Sequence, residues 1–199
     1  MFLNNNYNKE NSIKITIVGT YNCGKSTWLE KQYGISENWL RQSIHFDRQE
    51  YVLSIWDTYG NDRYRSLWPY YIIIAEIVLI LVDISKDIDY DYDVQTFLNI
   101  IEEVSVDLPN PKQIIFVGTK VDRKNIVSSQ LMKEKANELH IPYFEISSEM
   151  NEYFYSLEEI LLKSGCFFEV FWNKQLKNDF ENEIVFDGFN NTNKSCFFL

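Results

Sequence analysis

The sequence predicts one α/β domain with a mostly parallel sheet covered by helices on both faces. Three observations carry that expectation. Apolar runs of strand length alternate with stretches of helical period, as in chains whose parallel strands are joined by crossover helices. The 199 residues, 45% apolar and 16% aromatic, fill one core of ordinary size but not two full domains. A glycine-bounded turn also follows the first strand, at the carboxyl end where open α/β sheets bind their ligands.

Residues 1–11 are Asn-rich and polar after Phe2 and Leu3. They lack the apolar stretch of a secretory signal and are expected to be flexible. Ile13, Ile15 and Ile17 alternate with Lys14 and Thr16 up to Gly19, which marks a short strand entering a tight turn that opens into a helix. Tyr51–Trp56, Ile77–Ile84, Ile114–Val117 and Tyr143–Ile146 are further strand-length runs rich in Ile, Val and aromatics. The longest apolar run, Tyr70–Leu81, is interrupted by Glu76 and falls short of the roughly 20 residues that cross a bilayer. It reads as a buried helix end followed by a strand. Val94, Phe97, Leu98, Ile101 and Val104 fall on one helix face that Pro109 stops, and Met132, Ala136 and Leu139 form a weaker stripe. Ser156 and Glu159 have capping-box spacing at the start of a helix whose apolar face includes Ile160, Leu161, Phe167, Phe168 and Phe171. Cys166, in the same apolar stretch, reads as core. From about Asn178 the helical period is lost and Asn accumulates, so the domain is expected to span 12–177 and the tail, 178–199, to be flexible.

Charge and cysteine usage narrow the function. Nineteen Lys and Arg against 29 Asp and Glu leave a net charge of −10, the wrong sign for neutralising nucleic-acid phosphates. Three cysteines, Cys23, Cys166 and Cys196, with no CxxC spacing, indicate neither a disulfide framework nor a zinc site, and a reducing compartment.

Gly19-Thr20-Tyr21-Asn22-Cys23-Gly24-Lys25-Ser26 matches GxxxxGK[ST] between a strand and a helix. Four fixed positions arise by chance in a chain this long on the order of once in a hundred sequences. The glycines let the chain curl so that the amides of Tyr21, Asn22, Cys23, Gly24, Lys25, Ser26 and Thr27 face a phosphate, aided by the helix dipole. Lys25 would meet the β- and γ-phosphates and take part in catalysis, while the Ser26 hydroxyl would coordinate Mg²⁺. Trp56-Asp57-Thr58-Tyr59-Gly60 ends a strand and supplies Asp57 as a second contact to the metal, with Gly60 beside the phosphates. Thr119-Lys120-Val121-Asp122 ends another. An Asp accepting from N1–H and the 2-amino group of guanine selects that base, because adenine would leave the carboxylate unpaired. Asp122 is the candidate reader, with Thr119 and Lys120 beside it.

With these motifs in this order over roughly 13–162, the chain resembles a Ras-superfamily small GTPase, closest to the Rab branch. Asp62-Arg63-Tyr64-Arg65-Ser66-Leu67 with Tyr70-Tyr71 resembles the Rab second switch, while Thr119-Lys120 is also seen in Rho-like members. The resemblance implies a P-loop NTPase fold of six strands, one of them antiparallel, with five helices, and it implies hydrolysis of GTP to GDP and phosphate. Glu145-Ile146-Ser147-Ser148 is similar to the family's last base-contacting loop, where the Ser148 amide would reach guanine O6.

The departures fall where catalysis does. Asn61 occupies the place of the glutamine that orients the attacking water, one methylene shorter. A misplacement of about 1 Å costs roughly a hundredfold in rate, so slow hydrolysis is expected. Tyr59 and Tyr21 replace small residues and either crowd the γ-phosphate entry or swing to solvent. Only 31 positions separate Ser26 from Asp57, fewer than the resemblance leads one to expect, and no Thr lies between Thr27 and Thr58. Ser36 is the nearest hydroxyl that could close over Mg²⁺. Without such a ligand the GTP and GDP forms would differ little, since a switch moves only by differential contacts.

The terminal Cys196-Phe197-Phe198-Leu199 fits a CaaX lipidation signal, with Leu favouring geranylgeranyl. The tail before it carries Asp179, Glu181, Glu183 and Asp187 against Lys194 alone, so it offers no polybasic second anchor. Ile184-Val185-Phe186 resembles the segment by which Rab tails engage escort and extraction proteins. Two readings follow. One is a prenylated GTP/GDP switch on the cytosolic face of a membrane, working with effectors and an exchange factor in vesicle traffic. The other is a nucleotide-binding scaffold with little turnover. A P-loop kinase would need an Arg-rich lid, and no such cluster occurs.

Overall fold

The computed structural model describes residues 12–34, 37–46, 49–106 and 112–174. Strands β1 (Ser12–Val18), β2 (Trp39–Phe46), β3 (Gln49–Asp57), β4 (Ile77–Asp83), β5 (Gln113–Thr119) and β6 (Tyr143–Glu145) form one sheet in the order β2-β3-β1-β4-β5-β6. Every neighbouring pair is parallel except β2 and β3. Only residues 47 and 48 join those two, a connection too short for a crossover, so the pair is a hairpin with Trp39 opposite Trp56. The sheet is therefore mostly parallel and covered on both faces, as the sequence predicts, and has six strands with one antiparallel, as the resemblance implies.

β4 is buried along its whole length, and its alternate side chains feed two cores. Ile77, Leu79 and Leu81 join Ile13, Ile15 and Ile17 under α1 (Lys25–Tyr33) and α5 (Leu157–Ser164). Val78, Ile80 and Val82 face α2 (Trp68–Ile74), α3 (Thr96–Ser105) and α4 (Ile126–Glu138) through Trp68, Phe97 and Met132. The capping box at α5 is present: Glu159 N–H donates to Ser156 Oγ at 3.1 Å and Ser156 N–H to Glu159 Oε2 at 2.9 Å.

Three expectations need correction. The helix end read as buried is not: Trp68 and Ile72 alone are buried in α2, whereas Tyr70, Ile73 and Ile74 are exposed, because one stripe of this seven-residue helix meets α3. Leu139 is exposed beyond the end of α4, where Met132 and Ala136 are buried. The apolar stretch after Ser156 is not one helix. Gly165, at φ +78°, ends α5 and donates its N–H to Leu162 O, and a second helical segment runs over 166–174. A left-handed glycine stops a helix without steric cost. Phe167 and the buried Cys166 enter the first core from this second segment, and Phe167 and Phe171 each stand edge-on to Tyr51 at 5.5 Å. Lys174 at its end donates to Ser12 O and pairs with Glu76. No helix among the described residues is long and apolar enough to cross a membrane.

Candidate nucleotide site

The loop from Gly19 to Gly24 joins the carboxyl end of β1 to the first turn of α1, whose amides face out of the sheet. Gly24 caps α1 at φ +98°. The Lys25 side chain is buried under the loop, its Nζ donating to Gly19 O at 2.8 Å and Thr20 O at 3.1 Å, with Cys23 Sγ 3.4 Å away. Burial pushes the Cys23 thiol up, against the opposing pull of Lys25. Two side chains of the β5 loop fasten the outer rim. Thr119 Oγ1 donates to Cys23 O at 2.6 Å, and Lys120 Nζ to Asn22 O and Asp83 Oδ2, both at 2.8 Å.

Beneath the loop, Ser26 Oγ donates to Asp57 Oδ2 at 2.5 Å, while Asp57 Oδ1 is buried with no hydrogen-bond partner. Burial raises the Asp57 carboxyl, opposed by Ser26 and Lys25. A lone buried carboxylate oxygen beside a serine hydroxyl is a donor set for a hard divalent cation, which prefers oxygen ligands. Gly60 closes the other side. A Cβ there would stand 2.6 Å from Lys25 Nζ and 2.7 Å from Gly19 O.

At the base end, Ser147 Oγ donates to Asp122 Oδ1 at 2.6 Å and accepts from the amides of Glu149 and Met150, so a fully buried serine orients the carboxylate from behind. Arg123 Nε lies 3.4 Å from Asp122 Oδ2. Lys31 of α1 donates to Ser148 O and holds that loop. Asn22, Lys120, Asp122 and Ser148 line a cleft of about 170 Å³. Across Gly24 and Thr27 it continues into a hollow of about 440 Å³ lined by Lys25, Ser26, Gly60 and Asn61. Together they offer a carboxylate at one end and a lysine with a serine hydroxyl at the other.

The departures take definite positions. Asn61 Oδ1 accepts from Arg63 N at 3.1 Å, capping a 3₁₀ turn over Asp62–Leu67 that leads into α2. Tyr21 is 71% exposed and lines the rim of the phosphate hollow. Tyr59 is half-exposed, its hydroxyl meeting the Asn38 amide and its ring 4.7 Å from that of Tyr64. Gly34 caps α1 and β2 begins at Trp39, so residues 35–38 are the entire connection. Ser36 within it and Cys196 in the tail lie outside the described residues. Sequence reasoning missed the buried pair Thr20 and Asp93, in which Thr20 Oγ1 donates to Asp93 Oδ1 at 2.8 Å. Asp at alternate positions 87–93 resembles a solvated surface turn, and nothing in the sequence marks one of them as buried.

The Ras family pattern matches residues 14–163. The Ras-related protein RabH of Dictyostelium discoideum is 29% identical over 203 residues, covering 92% of this chain and 95% of its own. The Ras-related protein Rab-18 of Lymnaea stagnalis is 28% identical over 153 residues (71% and 74%), and ADP-ribosylation factor-like protein 3 of Saccharomyces cerevisiae is 27% identical over 151 (69% and 74%). The family match spans the phosphate loop, the segment around Gly60 and the Asp122 loop, and the chain belongs to the Ras family as a small GTP-binding protein near its Rab branch.

Proposed function

We propose that this chain cycles between GTP and GDP forms with slow intrinsic hydrolysis and regulates membrane traffic through effectors. The observation that carries the reading is the partnerless Asp57 Oδ1 beside Ser26, directly under a buried Lys25. In this reading the amides of Tyr21–Thr27 hold the phosphates, with Lys25 Nζ at the β- and γ-phosphates. Ser26 and Asp57 would hold Mg²⁺, which when bound would supply positive charge against the phosphate oxygens. Asp122, oriented by Ser147, reads N1–H and the 2-amino group of guanine, Ser148 N–H meets O6, and Thr119 and Lys120 keep the base loop against the phosphate loop. Asn61 orients the attacking water. Its carbonyl oxygen already accepts from Arg63 N, which leaves that oxygen's second lone pair and the Nδ2 donors for the water while fixing the direction in which the amide faces.

Membrane attachment would come from a prenyl group on Cys196 on the cytosolic side, with exchange, escort and effector proteins as partners. The exposed apolar side chains Tyr70, Ile73 and Ile74 of α2 support a surface read by such proteins. The short connection at 35–38 favours a second reading, a nucleotide-stabilised scaffold, because little chain is available to sense the γ-phosphate.

Single-turnover GTP hydrolysis with and without Asn61→Gln separates the two. A gain on the order of tenfold or more supports the slow machine, since the longer side chain restores reach. No gain refutes it and leaves the scaffold. Intact mass of the protein from its native cells tests the anchor, and an unmodified C-terminus removes it.

A further inference from the structure

The chain entering α3 is wound wider than an α-helix. Asp91–Gln95 forms a π-helical turn that runs directly into α3, a distortion frequent at functional sites. It delivers one side chain into the protein beneath the phosphate loop. Asp93 is 5% exposed, with Oδ1 accepting from Thr20 Oγ1 at 2.8 Å and Oδ2 accepting from Asp89 N at 3.2 Å. Thr20 is 4% exposed and is the second residue of the loop. Its carbonyl accepts from Lys25 Nζ at 3.1 Å and from Cys23 N at 3.3 Å. The carboxylate is thus one residue removed from the lysine ammonium and from the amide that tightens the loop.

Packing does not call for this contact. Val94, Phe97 and Ile101 already bury the inner face of the turn and of α3, and placing an ionised carboxylate inside the protein is costly unless its partners hold it. What the contact does is fix the Thr20 peptide, whose carbonyl sets one of the two positions holding Lys25 Nζ.

We infer that Asp93 is a positioning residue for the phosphate loop: through Thr20 it presets the loop amides and Lys25 for the β-phosphate, leaving the base end untouched. This rests on the guanine-nucleotide reading above. The base end has supports of its own, Ser147 on Asp122 and Lys31 on Ser148, and Thr119 and Lys120 tie it only to Cys23 and Asn22 on the far side of the loop from Thr20, so loss of the clamp falls first on phosphate recognition.

The test uses the full chain and competition against a fluorescent GDP, with GDP and GMP as the two probes. Thr20→Val keeps the shape and removes the donor; it lowers GDP affinity about tenfold, the size expected for a hydrogen bond to a charged partner, and changes GMP affinity less than about twofold. Thr20→Ser keeps the hydroxyl and recovers most of the loss. Asp93→Asn added to Thr20→Val produces no further loss, because both changes act on one contact. Should Asp93 variants fail to fold, the Thr20 pair carries the test alone. Parallel loss of GDP and GMP affinity, or unchanged GDP affinity in Thr20→Val, overturns the inference. A wild-type chain that binds neither nucleotide overturns the guanine-nucleotide reading itself.

Discussion

Gly60→Ala tests how closely the segment after Asp57 abuts the phosphate loop. The added carbon would lie 2.6 Å from Lys25 Nζ, 2.7 Å from Gly19 O and 2.7 Å from Thr20 C, where ordinary contact needs about 3.5 Å. Two of these atoms are backbone. The third is a lysine held by two carbonyls at 2.8 and 3.1 Å, so no loose side-chain end can yield. The φ of Gly60 is not in the left-handed region, and the penalty is therefore steric. Overpacking of this kind costs about 1–3 kcal/mol. Because the displaced groups are those assigned to the phosphates, the cost should appear in GDP affinity as a loss of roughly 5- to 150-fold. Competition binding measures it, with the thermal midpoint recorded alongside. A variant that binds GDP within about twofold of wild type and melts at the same temperature would show that Gly60 does not touch the loop when nucleotide is bound, and the assignment of the phosphate hollow would fall with it.

Other outcomes follow from single contacts. Ser156→Ala removes half of the capping box on α5 and should lower stability by about 1 kcal/mol, read as a drop of about 2–4 °C in thermal midpoint. Asp83 is pulled up by burial, but hydrogen bonds from Lys120 and Ser85 outweigh this and hold its carboxyl below the usual value. A carboxyl depressed in the folded state adds stability above its unfolded pKa and loses it as pH falls through the folded value. The thermal midpoint should therefore fall below about pH 4, and Lys120→Met should make that fall shallower; an identical acid limb in the variant would refute the pairing.

The strands were legible where one physical signal dominated. β1 alternates in apolar character because its isoleucines face the first core while Thr16, buried on the other face, hydrogen-bonds to Tyr71 O, and β4 is continuously apolar because both its faces meet apolar cores. β2 carried no such signal: as an edge strand with Arg41, Gln42 and His45, it lacks a continuous apolar run, and only the resemblance implied an antiparallel strand. The break at Gly165 carries a stop signal in the sequence, a glycine just after Lys163 in the last turn, but apolar residues resume at Cys166 and the hydrophobic period continues beyond it. Within the site, Lys25, Ser26, Asp57, Gly60 and Asp122 could be named in advance because spacing and order carry them. The cap made by Asn61 and the clamp made by Asp93 could not, since each depends on where a side chain lands across 2 and 73 positions of sequence respectively.

The latch from Lys174 to Ser12 brings the first and last described residues together. Ser12 is the first residue of a seven-residue strand whose far end opens into the phosphate loop, so the junction stands about 20 Å from it at the usual rise per residue. Whatever is joined to the chain before Ser12 or after Lys174 departs from one shared corner, at the opposite end of β1 from the nucleotide cleft and beside the end of α2 through Glu76, so the cleft can face away from the attachment.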